Sequence, residues 1–400
     1  MRIHLTLRIL WIVLLLGACS TSITLPKIDR HPDADSWRRG VLTSLPIYDP
    51  TSANAFQVDL RAYDLASLDL GGSLDDLLYA DFDDRTIWPA ADRMPQGYDW
   101  QRIMELGKDP GLGVRDLHTQ GITGKNIGIA IIDQTLLVDH QEYSEQLRLY
   151  EELDDITGAW LEAQMHGPAV ASIAVGRTVG VAPEADLYYI ATHRGGNGSD
   201  YTYLADAIHR IVAINKALPR ERKIRVISMS IGWGPEVEGY HELMAAVRRA
   251  RAAGMLVVST TIREMYGLDL GGLGRAPLAD PNTAASYEPG AFWAQAFANA
   301  VWRDTYGAMV LVPMDSRTTA SPLGTSEYTF SRVGGLSWAI PYIAGVYALA
   351  AQVDPAITPK QFWSLALETG QTIKVNLEGQ AVPLGPIIDP VALIDAVQSR

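Results

Sequence analysis

Gly128-Ile129-Ala130-Ile131-Ile132-Asp133 is a run of small and aliphatic residues closed by a carboxylate. A half-exposed strand alternates apolar and polar residues, whereas a strand buried on both faces reads as a continuous apolar run. This stretch is of the second kind, and the run begins at Ile127. Runs of strand length recur at Leu187–Ala191, Ile224–Ser230 and Met255–Ser259. Between them lie segments with helical spacing: Val170–Val175, Tyr203–Asn215 and Leu243–Arg251. Buried strands alternating with helices predict an α/β fold of three layers, a mostly parallel, doubly wound sheet covered on both faces. In such sheets the working crevice lies outside the carboxyl ends of the strands. Asp133, at one such end, is therefore a candidate for chemistry, although an Asp after a strand also serves as a cap or turn residue.

The residues downstream bear on that choice. Asp133-Gln134-Thr135 is followed by His140-Gln141-Glu142-Tyr143, then by His166-Gly167-Pro168-Ala169-Val170-Ala171-Ser172. Further on come Val179-Gly180-Val181-Ala182-Pro183, Val226-Ile227-Ser228-Met229-Ser230-Ile231-Gly232 and Gly335-Leu336-Ser337-Trp338-Ala339-Ile340-Pro341. In this order, over roughly residues 114–400, they resemble the Asp, His, substrate-strand and nucleophile motifs of the subtilases, the subtilisin-like serine peptidases. The resemblance implies a sheet of subtilisin type and a triad of Asp133, His166 and Ser337. A Ser hydroxyl is a poor nucleophile until an imidazole takes its proton, and a carboxylate fixes that imidazole's tautomer. The order Asp, His, Ser along the chain is also that of subtilisin. Ser337 opens the apolar stretch Trp338–Val353, which reads as a buried helix with Pro341 in its first turn. Helix N-termini offer free N–H groups to a developing oxyanion; a helix N-cap is the plainer role for a Ser there. By the same resemblance a substrate peptide would add as a strand beside Ser230-Ile231-Gly232, with Trp233 near the specificity pockets.

Several residues depart from the family pattern. Gln134-Thr135 replaces the usual Ser or Thr followed by Gly, Ala169 stands where the motif has a second His, and Trp338 replaces a Met. The segment after Met255–Ser259 reads Thr260-Thr261-Ile262-Arg263 and lacks the Asn that would help bind the oxyanion. Losing one such donor costs ~10²–10³ in turnover. Asn282, in Asp280-Pro281-Asn282, is one substitute, and the hydroxyls of Thr260 and Thr261 are others; as a Pro-Asn pair, Asn282 also suits an ordinary turn. Between the His segment and Gly180 only Gly176-Arg177-Thr178-Val179 is present, too short for the calcium loop that the family carries there. The acidic run Glu151-Glu152-Leu153-Asp154-Asp155 reads as a solvated face or a weak calcium site; no other metal or cofactor is implied.

The composition sets the remaining bounds. The chain has 400 residues with 48% hydrophobic and 20% charged content, which excludes a disordered or coiled-coil protein. A net charge of −13 leaves no basic footprint for nucleic acid. The single Cys excludes an internal disulfide. It is Cys19, and it follows Arg2, Arg8, the apolar run Ile9–Leu16 and Gly17-Ala18. That run is shorter than the ~20 residues needed to span a bilayer and has the form of an export signal. Leu16-Gly17-Ala18-Cys19 resembles a lipoprotein lipobox, which implies cleavage after residue 18, a lipid on Cys19 and anchoring at a bacterial cell envelope; an ordinary secretory signal with a chance Cys is the alternative. Residues 19–110 are expected to be an Asp- and Leu-rich N-terminal extension, a linker, a pro-segment, a docking surface or a layer packed on the next domain, the last being favoured. Turn signals at Pro95-Gln96-Gly97 and Asp109-Pro110-Gly111 mark its end, and the resemblance makes residues 111–400 the peptidase domain. The expectation is a lipid-anchored serine endopeptidase acting on proteins or peptides. A degenerate relative that binds peptides with little or no activity is the alternative.

Overall fold

The parallel sheet expected from the apolar runs is the centre of the computed structural model, which describes residues 24–52, 54–153, 161–192, 200–305 and 309–400. Six strands lie side by side in the order Lys27–Ile28, Leu147–Glu152, Asp186–Ala191, Gly128–Asp133, Ile224–Met229, Leu256–Ser259. All five pairings are parallel. From Gly128–Asp133 the chain passes over one place to Leu147–Glu152, comes back to fill that place with Asp186–Ala191, and then crosses to build the other side with Ile224–Met229 and Leu256–Ser259. Its carboxyl end is thus a switch point, where crevices form in sheets of this kind. The helices His166–Val175 and Leu336–Val353 pack on each other, as do Thr202–Ala217 and Tyr240–Ala252, and the two pairs flank the sheet. Leu336–Val353 is buried continuously from Trp338 to Ala351. Among the described residues it is the one helix long and apolar enough to cross a membrane, and here it is the core helix of a folded domain.

Leu147–Glu152 was not among the expected strands, because Leu-Arg-Leu-Tyr-Glu-Glu has no apolar run. Its acidic end is neutralised instead. Glu151 takes Arg210 and Lys27 at 2.6 Å each, and Glu152 takes Arg30 at 2.7 Å. These two carboxylates are therefore engaged in ion pairs; Asp154 and Asp155 of the same acidic run lie outside the described residues. Lys27 and Arg30 come from the start of the extension, which joins the sheet as its edge strand.

Two further sheets complete the molecule. One runs Tyr287–Pro289, Asp269–Arg275, Met309–Pro313, Gln380–Ile387, Gln371–Leu377. The other runs Arg317–Ala320, Tyr328–Ser331, Ala80–Asp83, Val58–Asp59. Half of this last sheet comes from the extension, and its pairings include Phe82 with Phe330. A second hydrophobic cluster forms beneath it, from Leu60, Leu65, Phe82, Ile103 and Met104 with Val179, Tyr328 and Phe330. The extension and the later residues therefore share one sheet and one core.

Phe82 is fully buried, with its ring centroid 5.1 Å from that of Phe330 and 5.4 Å from that of Trp88. Phe82→Ala should lower the unfolding free energy by about 3–5 kcal/mol, the usual range for a truncated core aromatic. Denaturant titration of the purified protein measures this. A loss under about 1 kcal/mol would mean that this core contributes little.

Candidate active site

Asp133 ends its strand with the carboxylate turned towards the head of the helix His166–Val175. Oδ1 accepts the backbone N–H of Gln134 at 2.8 Å and pairs with Nδ1 of His166 at 2.7 Å. The side chains are 6% and 20% exposed, so the pair has lost most of its water. Burial alone would push the imidazole pKa down, but the adjacent carboxylate outweighs burial, and the net shift is upward. With Nδ1 held as the donor to Asp133, Nε2 of the neutral ring is the basic nitrogen. Gly167 allows this approach: a Cβ there would lie 2.7 Å from both Gln134 O and Tyr189 Oη. The Tyr189 hydroxyl donates to Gln134 O and secures the turn that follows Asp133.

Ser337 is the second residue of the helix Leu336–Val353. Gly335, just before it, has φ +67° and ψ 169°, which glycine adopts without strain. Pro341 stands inside the helix rather than in its first turn, and its effect is specific. Proline has no N–H, so the carbonyl of Ser337 loses its intrahelical donor. The Ser230 hydroxyl donates to that carbonyl at 2.9 Å instead. The Ser337 hydroxyl in turn donates to Ser230 O at 3.4 Å. Ser337 and the strand end at Ser230 are thus joined in both directions. Among the described residues no hydrogen bond links Ser337 to His166. The contact on that side is Trp338, whose ring centroid is 5.5 Å from the imidazole.

A cleft of about 190 Å³ opens beside the pair, bordered by Asp133, His166, Thr192, Leu204, Ser230 and Ile231. Ser230 and Ile231, of the expected substrate strand, line the same cleft as His166. Gly232 follows, and a Cβ on it would lie 2.8 Å from Oγ1 of Thr260. Thr260 faces that strand. Thr261 also lies against Gly232, but through its Cγ2, 3.3 Å from that Cβ, while its Oγ1 is 3.3 Å from Ser259 Oγ. Asn282 is not brought to Ser337: its side-chain amide donates to Asp109 at 3.2 Å and its carbonyl oxygen accepts from the Gly113 N–H at 2.9 Å. It is the turn residue that the Pro-Asn pair also suggested. Trp233, expected near the pockets, is 4% exposed and packs in the main core. Sequence reasoning did not anticipate the reciprocal Ser230–Ser337 bonding, for which Pro341 was the available signal. Among the described residues no group of His, Cys, Asp or Glu side chains is arranged to hold a metal ion. Cys19 lies outside the described residues.

The profile of the subtilase family matches residues 124–262, which include Asp133, His166 and the substrate strand and stop short of Ser337. The chain is 32% identical over 181 residues to the major intracellular serine protease of Bacillus subtilis (strain 168), covering 42% of this chain and 53% of that protein. It is 26% identical over 250 residues to subtilisin NAT of Bacillus subtilis subsp. natto, covering 61% and 60%. It is 27% identical over 256 residues to an extracellular serine proteinase of Thermus sp. (strain Rt41A), covering 62% and 56%. The chain thus spans between half and two thirds of the length of these relatives.

The opposing effects on His166 can be separated. Asp133→Asn removes the charge that raises the imidazole pKa and leaves the burial that lowers it. The His166 pKa should therefore fall below the ordinary imidazole value of 6.5. Titration of the ring nitrogens by NMR measures this; an unchanged pKa would show that the carboxylate does not control the imidazole.

Proposed function

The chain belongs to the subtilase family, and from that membership and the geometry around His166 we propose that it is a serine endopeptidase hydrolysing peptide bonds in proteins at the cell envelope. The observation that carries the proposal is the 2.7 Å bond between Asp133 and His166, beside a cleft that the substrate strand borders. In this reading a peptide adds as a strand along Ser230-Ile231-Gly232 and brings its scissile carbonyl over Ser337. The Ser337 hydroxyl rotates off Ser230 O towards Nε2 of His166. As Oγ bonds to the carbonyl carbon, its proton passes to Nε2, and Asp133 stabilises the imidazolium that forms. The oxyanion lies at the helix N-terminus, where the Ser337 N–H is one of the donors without an intrahelical partner. Thr260 is the side chain best placed to add a hydroxyl. The C–N bond then breaks, His166 gives its proton to the leaving amine, and water releases the acyl group by the same steps in reverse.

The 3.4 Å bond from the Ser337 hydroxyl to Ser230 O favours a second reading, a peptide-binding relative of little or no activity. A fluorophosphonate probe separates the two, because labelling needs an activated Ser and no known substrate. Under the peptidase reading the wild type is labelled and Ser337→Ala is not. Asp133→Asn should slow turnover by about 10⁴-fold, the scale of a triad whose His is left in the wrong tautomer. A wild type that resists the probe, or full cleavage activity in Ser337→Ala, would sink it.

Location is the other part of the proposal, with membrane attachment through a lipid on Cys19. It is supported by the leader Arg2 to Ala18 and the Leu16-Gly17-Ala18-Cys19 sequence. Fractionating cells that express wild type and Cys19→Ala tests it. The wild type should sediment with membranes and the variant should not; equal partition of the two would remove the lipid from the account.

A further inference from the structure

Ser337 is reached through a short segment, Arg332-Val333-Gly334-Gly335, which leaves the strand Tyr328–Ser331 and enters the helix at Leu336. Alternate N–H groups of this segment donate to buried carboxylates. The Arg332 N–H donates to Asp81 Oδ1 at 2.6 Å, and the Gly334 N–H donates to Asp315 Oδ1 at 3.0 Å. The second oxygen of Asp315 accepts the Ala291 N–H at 2.9 Å. Ala291 precedes Phe292, whose ring lies against Gly335: a Cβ on that glycine would be 3.2 Å from it. Asp81 and Asp315 are only 6% and 1% exposed. Asp81 comes from the extension, and Asp315 follows the strand Met309–Pro313. The two carboxylates thus hold the approach to the nucleophile from different parts of the chain.

These groups are unfavourable to the fold in their charged form. Burial raises the pKa of Asp315 to about 6 and that of Asp81 to about 7, against an ordinary 3.8. The folded state therefore binds each proton more tightly than the unfolded chain does. Stability contributed by the protonated forms is lost as pH rises from 3.8 through those values, so at alkaline pH both ionised groups weaken the fold. The surroundings reduce that penalty without removing it. Arg61 and Arg332 face Asp81, with Asp59 opposing them. Arg332 faces Asp315, with Glu288 opposing it. The Arg332 guanidinium is itself 3.8 Å from Glu288 and 5.1 Å from the centre of the Tyr79 ring. Neither Asp81 nor Asp315 has a part in the proton transfers between Ser337, His166 and Asp133.

We infer that Asp81 and Asp315 are positioning residues that fix the Arg332–Gly335 segment and thereby place the Ser337 hydroxyl for attack. At Asp315 a carboxylate is needed because each oxygen accepts an N–H, and protonation or an amide turns a donor towards one of them. Asp81 accepts at Oδ1 alone, which an amide could reproduce, so its test removes the side chain. The kinetic half of this inference rests on the peptidase reading, and the structural half does not. Asp81→Ala and Asp315→Asn, each in the full chain, test both halves. Three quantities are followed: the rate of fluorophosphonate labelling against pH, hydrogen exchange at the Arg332 and Gly334 amides, and the thermal midpoint. In the variants labelling should slow at least tenfold, towards the ~10²-fold loss expected when a reacting group is displaced by an ångström. Exchange should quicken at Arg332 in Asp81→Ala and at Gly334 in Asp315→Asn. The thermal midpoint at alkaline pH should hold or rise, which separates positioning from a folding defect. In the wild type the acid limb of the labelling rate should be steeper than the one-proton limb that His166 alone gives, and Asp315→Asn should make it shallower. Labelling within about threefold of wild type with the same acid limb, or unchanged exchange at these amides, overturns the inference while leaving the peptidase standing. Quickened exchange in a protein that the probe never labels overturns the peptidase reading and leaves the held segment standing.

Discussion

A carboxylate at the end of a strand buried on both faces has given up most of its water, and it is stable there only if fixed donors replace it. Asp133 has two, the Gln134 N–H and the His166 ring. Much of the local structure follows from supplying the second. His166 must open its helix directly beside the strand end, so residue 167 can carry no side chain. The loop that turns away from Asp133 must be secured from behind, and Tyr189 on the neighbouring strand does so. The switch point of the sheet supplies the room. Fold and chemistry are coupled here through desolvation: the burial that makes the strand also strengthens the ion pair.

The extension has the character of a structural partner of the later chain. Its first strand closes one edge of the central sheet, and Lys27 and Arg30 balance the carboxylates of the strand beside it. Its later strand pairs with Tyr328–Ser331, one short segment away from Ser337. Removing residues 24–110 would uncover Phe330 and leave Glu152 without Arg30. The integrity of the region around Ser337 and the presence of the extension are thus a single packing problem.

The central strands were legible because burial on both faces leaves a plain record, a run of Ile, Val, Leu and Ala. The four helices that flank the central sheet were legible from their spacing, and the Asp, His and Ser motifs from their order; Trp100–Lys108, Pro359–Thr369 and Pro390–Gln398 were not anticipated. Leu147–Glu152, Arg317–Ala320 and Ala80–Asp83 were not legible, and for one reason. Each buries charged residues whose partners lie far away in sequence: Arg210 for Glu151, Val179 O for Arg317, the Arg332 N–H for Asp81. Local pattern records hydrophobicity, and it cannot record a compensating charge or carbonyl a hundred residues distant. The same limit applies at the site. Trp233 adjoins the substrate strand in sequence, yet the chain turns its ring into the core. Asn282 has the right chemistry and is held elsewhere by Asp109 and Gly113.

Pro341 leads to one more property of the molecule. A residue in the first turn of a helix is ordinarily tied to its own helix through its carbonyl, and so moves with it. Ser337 lacks that tie and is fastened across to Ser230. The most directly linked neighbour of Ser337 is therefore the strand end at Ser230, and a shift of that strand by a fraction of an ångström is carried to the serine without passing through the core. The helix holds the backbone of the residue, and the wall of the cleft shares in setting where its side chain sits.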